Sequence, residues 1–141
     1  MNGALANPLL WSDALAVDIP LMDQAHHAFV DLLAAAVTAA DADVLSCWTT
    51  LIAHTQQQFD AEDRWMLATG YARDSSHAIQ HKVILQVMRE GEALGDKSGI
   101  AAVRKMAYEL GAWFAQHTQS MDASLALHLR SSGYDPTPGN I

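Results

Sequence analysis

The residues of this chain that could bind a metal fall at helical spacings. His77 and His81 are four apart, which lets two imidazoles on one helix face grip one ion. His54, Gln58 and Glu62 form a second series with steps of four, so they stack on one face. His26 follows Asp23 by three residues, and His117 precedes Asp122 by five, with His128 beyond. Cys47 is the only cysteine, so a thiolate cage and an internal disulfide are both excluded. Imidazole with carboxylate suits iron, manganese, zinc or copper. Two carboxylates from different segments can each bridge a pair of ions, and cations compensate carboxylates that would be costly to bury alone.

Helices must position these side chains. The four prolines, Pro8, Pro20, Pro136 and Pro138, leave Leu21 to Asp135 free of helix breakers. Pro20 suits a first helical turn, and Leu21, Met22, Phe29, Leu32, Leu33 and Val37 follow helical spacing. Asp41 and Asp43 are expected to cap a second helix that ends at Gly70. Asp74, Ser75 and Ser76 offer caps for a third helix, expected to fade in the stretch EALGDKSG, Glu92 to Gly99. Ser98 then caps a fourth helix running to about Arg130. Short connections favour antiparallel neighbours. The expectation is all-α: an up-down-up-down antiparallel four-helix bundle over about 20–131, in one domain of residues 1–141. Residues 1–19 form a non-helical N-terminal arm, in which Trp11 can pack across the bundle, and residues 132–141 form a C-terminal tail.

A chain of 141 residues can bury a full core, and 50% hydrophobic with 17% charged residues marks it as globular. A formal charge of −8 repels phosphate backbones and anionic lipid, so no nucleic-acid or membrane partner is expected. No apolar run approaches the ~20 residues that span a bilayer. The N-terminus lacks a secretory pattern, and the lone cysteine fits a reducing compartment, so the chain reads as free-standing and cytoplasmic. Oligomeric state is not legible.

Taken in order, these segments resemble the hemerythrin family over nearly the whole chain. Trp11 and IPLMDQAH (Ile19 to His26) are similar to its N-terminal arm and first-ligand motif. QFDAEDRWM (Gln58 to Met66) is similar to HFxxEExxM, HAIQH (His77 to His81) to HxxxH, and WFAQHTQSMD (Trp113 to Asp122) to WxxxHxxxxD. The resemblance implies two non-haem iron ions bridged by an oxo or hydroxo group. His77, His81 and His117 would hold one iron, Glu62 and Asp122 would bridge, and His26 would bind the second iron, where the family binds dioxygen. A five-residue step sets side chains about 140° apart on an ideal helix, so a π-type bulge or unusual rotamer is expected between His117 and Asp122.

The departure from the family pattern is Gln58, which stands where the family places a histidine ligand of the second iron. Three outcomes are open there: coordination through the amide oxygen, hydrogen bonding to a water or bound oxygen species, or a site with one metal. His54 lies one turn away, and its expected role is to support the site, or to bind metal only after rearrangement. His27 and His128 read as surface or structural residues, and Asp60 and Asp63 as solvated. Trp48, Trp65, Trp113, Phe59, Phe114 and Met66 read as core packing. The leading functional expectation is dioxygen binding for transport, storage or sensing. The alternatives are a redox enzyme acting on oxygen, peroxide or nitric oxide, and a metal-stapled structural or interaction bundle.

Overall fold

The computed structural model describes residues 9–71 and 76–136, with residues 96–98 described by backbone alone. Helix α1 spans Pro20–Thr38, α2 Val44–Thr69, α3 Ser76–Ser98 and α4 Ile100–His117. A π-helical turn, Thr118–Asp122, joins α4 to α5, Ala123–Ser131, so α4, the turn and α5 form the fourth rod of the bundle. Among the described residues there is no strand. No described helix is long and apolar enough to cross a membrane.

Pairs of contacts fix the helix directions. Trp48 near the start of α2 donates its indole N–H to the carbonyl of Met88 late in α3 (2.9 Å), while Asp63 late in α2 meets His81 early in α3 (2.9 Å). Arg104 early in α4 reaches the carbonyls of Val37 and Ala39 at the end of α1, while His26 early in α1 meets Asp122. Each rod therefore runs antiparallel to its neighbours, and the architecture is the expected all-α four-helix bundle.

Three local expectations are corrected. Asp43 occupies the residue before α2 without a side-chain cap, and Asp41 pairs with Arg104 at 2.7 Å instead. A cation there also serves the exposed carbonyls at the end of α1. Helix α3 does not fade at Glu92 but continues to Ser98, so Ser98 ends one helix and Gly99, at φ 105°, is the whole junction to α4. Gly95 stays helical because two side chains fill its face. A Cβ there would meet Leu45 Cδ2 at 2.6 Å and Val103 Cγ2 at 2.7 Å. Of the caps expected for α3, Asp74 and Ser75 lie outside the described residues. Gly70 ends α2 in the left-handed region (φ 67°) as expected.

The described part of the arm contains a 3₁₀ turn, Asp13–Leu15, and lies along the bundle. Val17 donates its N–H to Asp23 (2.8 Å) and accepts from Arg130 (2.6 Å), while Trp11 stacks on His27 with ring centroids 3.9 Å apart. Two apolar clusters fill the interior. One centres on Phe29, Leu33, Trp48, Leu51, Phe59 and Phe114. The other centres on Met22, Trp65, Met66, Leu125 and Leu129. Each rod passes from one cluster to the other through a polar layer: His26 between Met22 and Phe29, Glu62 between Phe59 and Met66, His117 and Asp122 between Phe114 and Leu125.

Candidate metal centre

The polar layer gathers six side chains from four rods, all buried: His26 from α1, Glu62 from α2, His77 and His81 from α3, His117 and Asp122 from the fourth rod. The π turn is what aligns the last two. One extra residue per turn brings the i+5 position round to the face that an ordinary α-helix gives to i+4. The bulge expected from the spacing is present as Thr118–Asp122.

Glu62, His77, His81, His117 and Asp122 each offer one ligand atom, and these atoms lie within 4.8 Å of one another. The two carboxylates divide their oxygens between two sides. Glu62 Oε1 is 3.3 Å from His77 Nε2 and 3.2 Å from His81 Nε2, while Oε2 is 4.0 Å from His26 Nε2. Asp122 Oδ1 is 3.0 Å from His77 Nε2 and 3.1 Å from His117 Nε2, while Oδ2 is 3.0 Å from His26 Nε2. Three imidazoles thus face one oxygen of each carboxylate, and His26 faces the other two.

Neighbouring groups set the ring orientations. His81 Nδ1 is 2.9 Å from Asp63 Oδ1, and His117 Nδ1 is 3.1 Å from Gln80 Oε1. An acceptor at Nδ1 fixes the proton there and leaves Nε2 a free donor of electrons toward the centre. Asp63 is therefore a supporting group and not the solvated residue expected from sequence. Gln80 and Thr118, whose hydroxyl is 3.4 Å from Asp122 Oδ2, were missed as well. The sequence signal was adjacency: Asp63 follows Glu62, and Gln80 precedes His81. Phe59 stacks on His81 (3.8 Å) and Trp113 on His117 (4.5 Å), while Phe114 meets His26 edge-on.

Electrostatics tie the layer together. Burial lowers the pKa of His77, but the Asp122 and Glu62 carboxylates outweigh it and lift the group to about 9. His26 and His81 are likewise raised against the effect of burial, the first by Asp122 and Glu62, the second by Asp63 and Glu62. Burial would raise Asp122, yet His117, His26 and His77 hold it well below the usual carboxylate range. Two buried anions thus demand positive charge, as protons on imidazole or as a metal.

The donor set fits a metal. His81 Nε2, His117 Nε2, Glu62 Oε1 and Asp122 Oδ1 are buried and close together, yet make no well-aligned hydrogen bond among the described residues. Nitrogen and oxygen donors converging without mutual hydrogen bonds are what a shared cation requires.

Gln58 is 5% exposed, and neither atom of its carboxamide has a hydrogen-bond partner among the described residues. It lines a cavity of about 320 Å³ between α1 and α2, together with Glu62 and His54. The His54 ring is 3.0 Å from the carbonyl oxygen of Ala25, on the helix that carries His26. It is thus a brace between α1 and α2. His27 and His128 lie away from the centre, against Trp11 and the Thr69 carbonyl respectively.

A family model described as the hemerythrin HHE cation binding domain matches residues 17–126, a span that takes in all six clustered residues. The chain belongs to the hemerythrin family. A bacteriohemerythrin from Ralstonia nicotianae (strain ATCC BAA-1114 / GMI1000) is 34% identical over 125 residues, covering 89% of this chain and 91% of the relative. With this hemerythrin membership and the clustered donors, the chain is a non-haem iron-binding protein.

Proposed function

We propose that this hemerythrin-family chain holds two iron ions in the polar layer and binds dioxygen there, as a carrier, store or sensor. His77, His81 and His117 would hold one iron, Glu62 and Asp122 would bridge, and His26 would hold the second. The observation that carries this reading is the division of oxygens: each carboxylate turns one oxygen to the three-histidine side and the other toward His26. Iron bound there would supply reversible one-electron chemistry and affinity for a diatomic molecule. The chain's own residues do the rest. Asp63 and Gln80 hold the imidazole tautomers, while Phe59, Phe114 and Trp113 wall the centre from water.

The test is anaerobic ferrous loading, desalting and iron analysis, followed by cycles of air and argon. Two irons per chain, with a visible charge-transfer band that comes and goes with oxygen, is the expected result. One iron per chain, or no band, overturns the reading.

One observation favours a second reading, turnover of oxygen, peroxide or nitric oxide with a reductant. Gln58 puts an amide where the family has a histidine, beside a cavity with room for more than a diatomic. Catalytic consumption of reductant with any of the three substrates would select it. The −8 charge and the single, unpaired Cys47 support a cytoplasmic protein without a nucleic-acid partner.

A further inference from the structure

The cavity beside Gln58 is larger than dioxygen chemistry needs. It holds about 320 Å³, at the lower end of the range for small-molecule sites and far beyond a single diatomic or water. Its lining includes apolar Met22, Ala25, Ala61 and Trp65, and among its polar residues Gln58 and Glu62 are buried. Gln58 is more than nine-tenths buried, and its carboxamide has no partner among the described residues. Trp65 adds a second buried donor to the lining, an indole N–H also without a partner among those residues. A buried amide kept without partners on a cavity wall is a feature that a ligand explains.

We propose that this cavity is a binding site for a short-chain monocarboxylate, distinct from the diatomic ligand. Its carboxylate accepts a hydrogen bond from the Gln58 amide, and its alkyl chain lies against the Met22–Ala25–Ala61–Trp65 wall. The inference rests on the reading that a metal occupies the His26 side. Glu62 and Asp122 alone would repel an anion, whereas one dication cancels their charge and a second makes the layer net positive. Binding is therefore linked to metal. It also follows from Gln58 in particular, because a histidine turned inward to a metal would leave the cavity without this donor.

The test uses the full chain loaded with zinc, which is redox-silent, with the zinc count measured first. Sodium acetate and sodium butyrate are titrated at constant ionic strength against chloride, followed by calorimetry and by the NMR signals of the Trp65 indole and Gln58 amide. Saturable shifts at both signals, with butyrate tighter than acetate, are expected. Gln58→Ala should weaken butyrate by about 10–100-fold, the usual loss of a hydrogen bond to a charged group. Ala25→Leu should fill the cavity and abolish butyrate binding without changing the zinc count. Two zinc ions with no carboxylate shifts would overturn the site and leave the di-metal reading intact. One zinc per chain would overturn both, and equal binding by metal-free protein would overturn the metal-linked site.

Discussion

His26 Nε2 lies 3.0 Å from Asp122 Oδ2, although the two residues are 96 positions apart and sit on different rods. Both are fully buried. The contact clamps the start of α1 to the π turn, and Asp122 carries it onward, because its other oxygen faces His77 and His117. One carboxylate therefore couples all the imidazoles but His81, and Glu62 reaches that one. A change on either side of the centre should be felt on the other.

Gln58→His should strengthen metal binding at the His26 side. Loss of an outer hydrogen-bond partner alone shifts metal affinity about 10–100-fold, so an added direct ligand should gain at least about tenfold. Competition with a chelator, read as the second metal's occupancy, measures this, and an unchanged second affinity would refute it. Gln58→Met tests the same position without metal. It removes two buried polar atoms that lack partners and should stabilise metal-free protein by about 1 kcal/mol in urea unfolding.

Asp63→Ala should weaken metal binding by about 10–100-fold while leaving the fold in place. Asp63 is half-buried and holds His81 Nδ1, so its loss frees the ring to adopt the other tautomer. Asp60, one turn of sequence away and exposed, accepts a hydrogen bond from Gln56 at 2.9 Å, and Asp60→Ala should leave metal affinity unchanged. Equal losses in the two variants would show a charge effect and not ring positioning.

Much of this was legible in the sequence. Prolines confined to the ends and apolar residues at helical spacing marked four rods, and the five-residue step from His117 to Asp122 announced the π turn. What stayed hidden depends on contacts between rods. Glycine costs about 1 kcal/mol in a helix interior, so Gly95, within Glu92 to Gly99, read as part of a fading helix. Close packing by Leu45 and Val103 offsets that cost. Asp63 looked solvated because its partner His81 belongs to another helix, and Asp41 looked like a cap because Arg104 is 63 positions away.

Stability of the metal-free protein should fall as pH rises from about 6.5 through 9. His77 has a folded-state pKa of about 9 against an ordinary 6.5, so its protonation stabilises the fold in full below 6.5 and the gain is lost through 9. That lift corresponds to on the order of 3 kcal/mol. Asp122, held low, stabilises the fold above the ordinary carboxylate pKa, and its contribution is lost only as pH falls through its depressed value. Metal binding displaces the His77 proton, so affinity should rise with pH up to about 9 and then level. Urea unfolding with and without zinc at pH 6, 7.5 and 9 measures both trends, and metal-free stability that rises with pH would refute the assignment.

Deleting Gln119 should leave both the bundle and a metal site standing. The π turn behaves as one residue inserted in a continuous helix, and Gln119 is exposed within it. Removing it makes His117 and the following aspartate an i, i+4 pair, which an α-helix still sets on one face. The rest of α5, with buried Leu125 and Leu129, stays in phase with the core. Helical circular dichroism should be unchanged, and zinc should still bind at the three-histidine side. The supporting contact of Thr118 with Asp122 is altered, so the affinity should drop. If the deletion unfolds the protein, the π turn is not a single inserted residue, and if zinc affinity is untouched, Thr118 does not support Asp122.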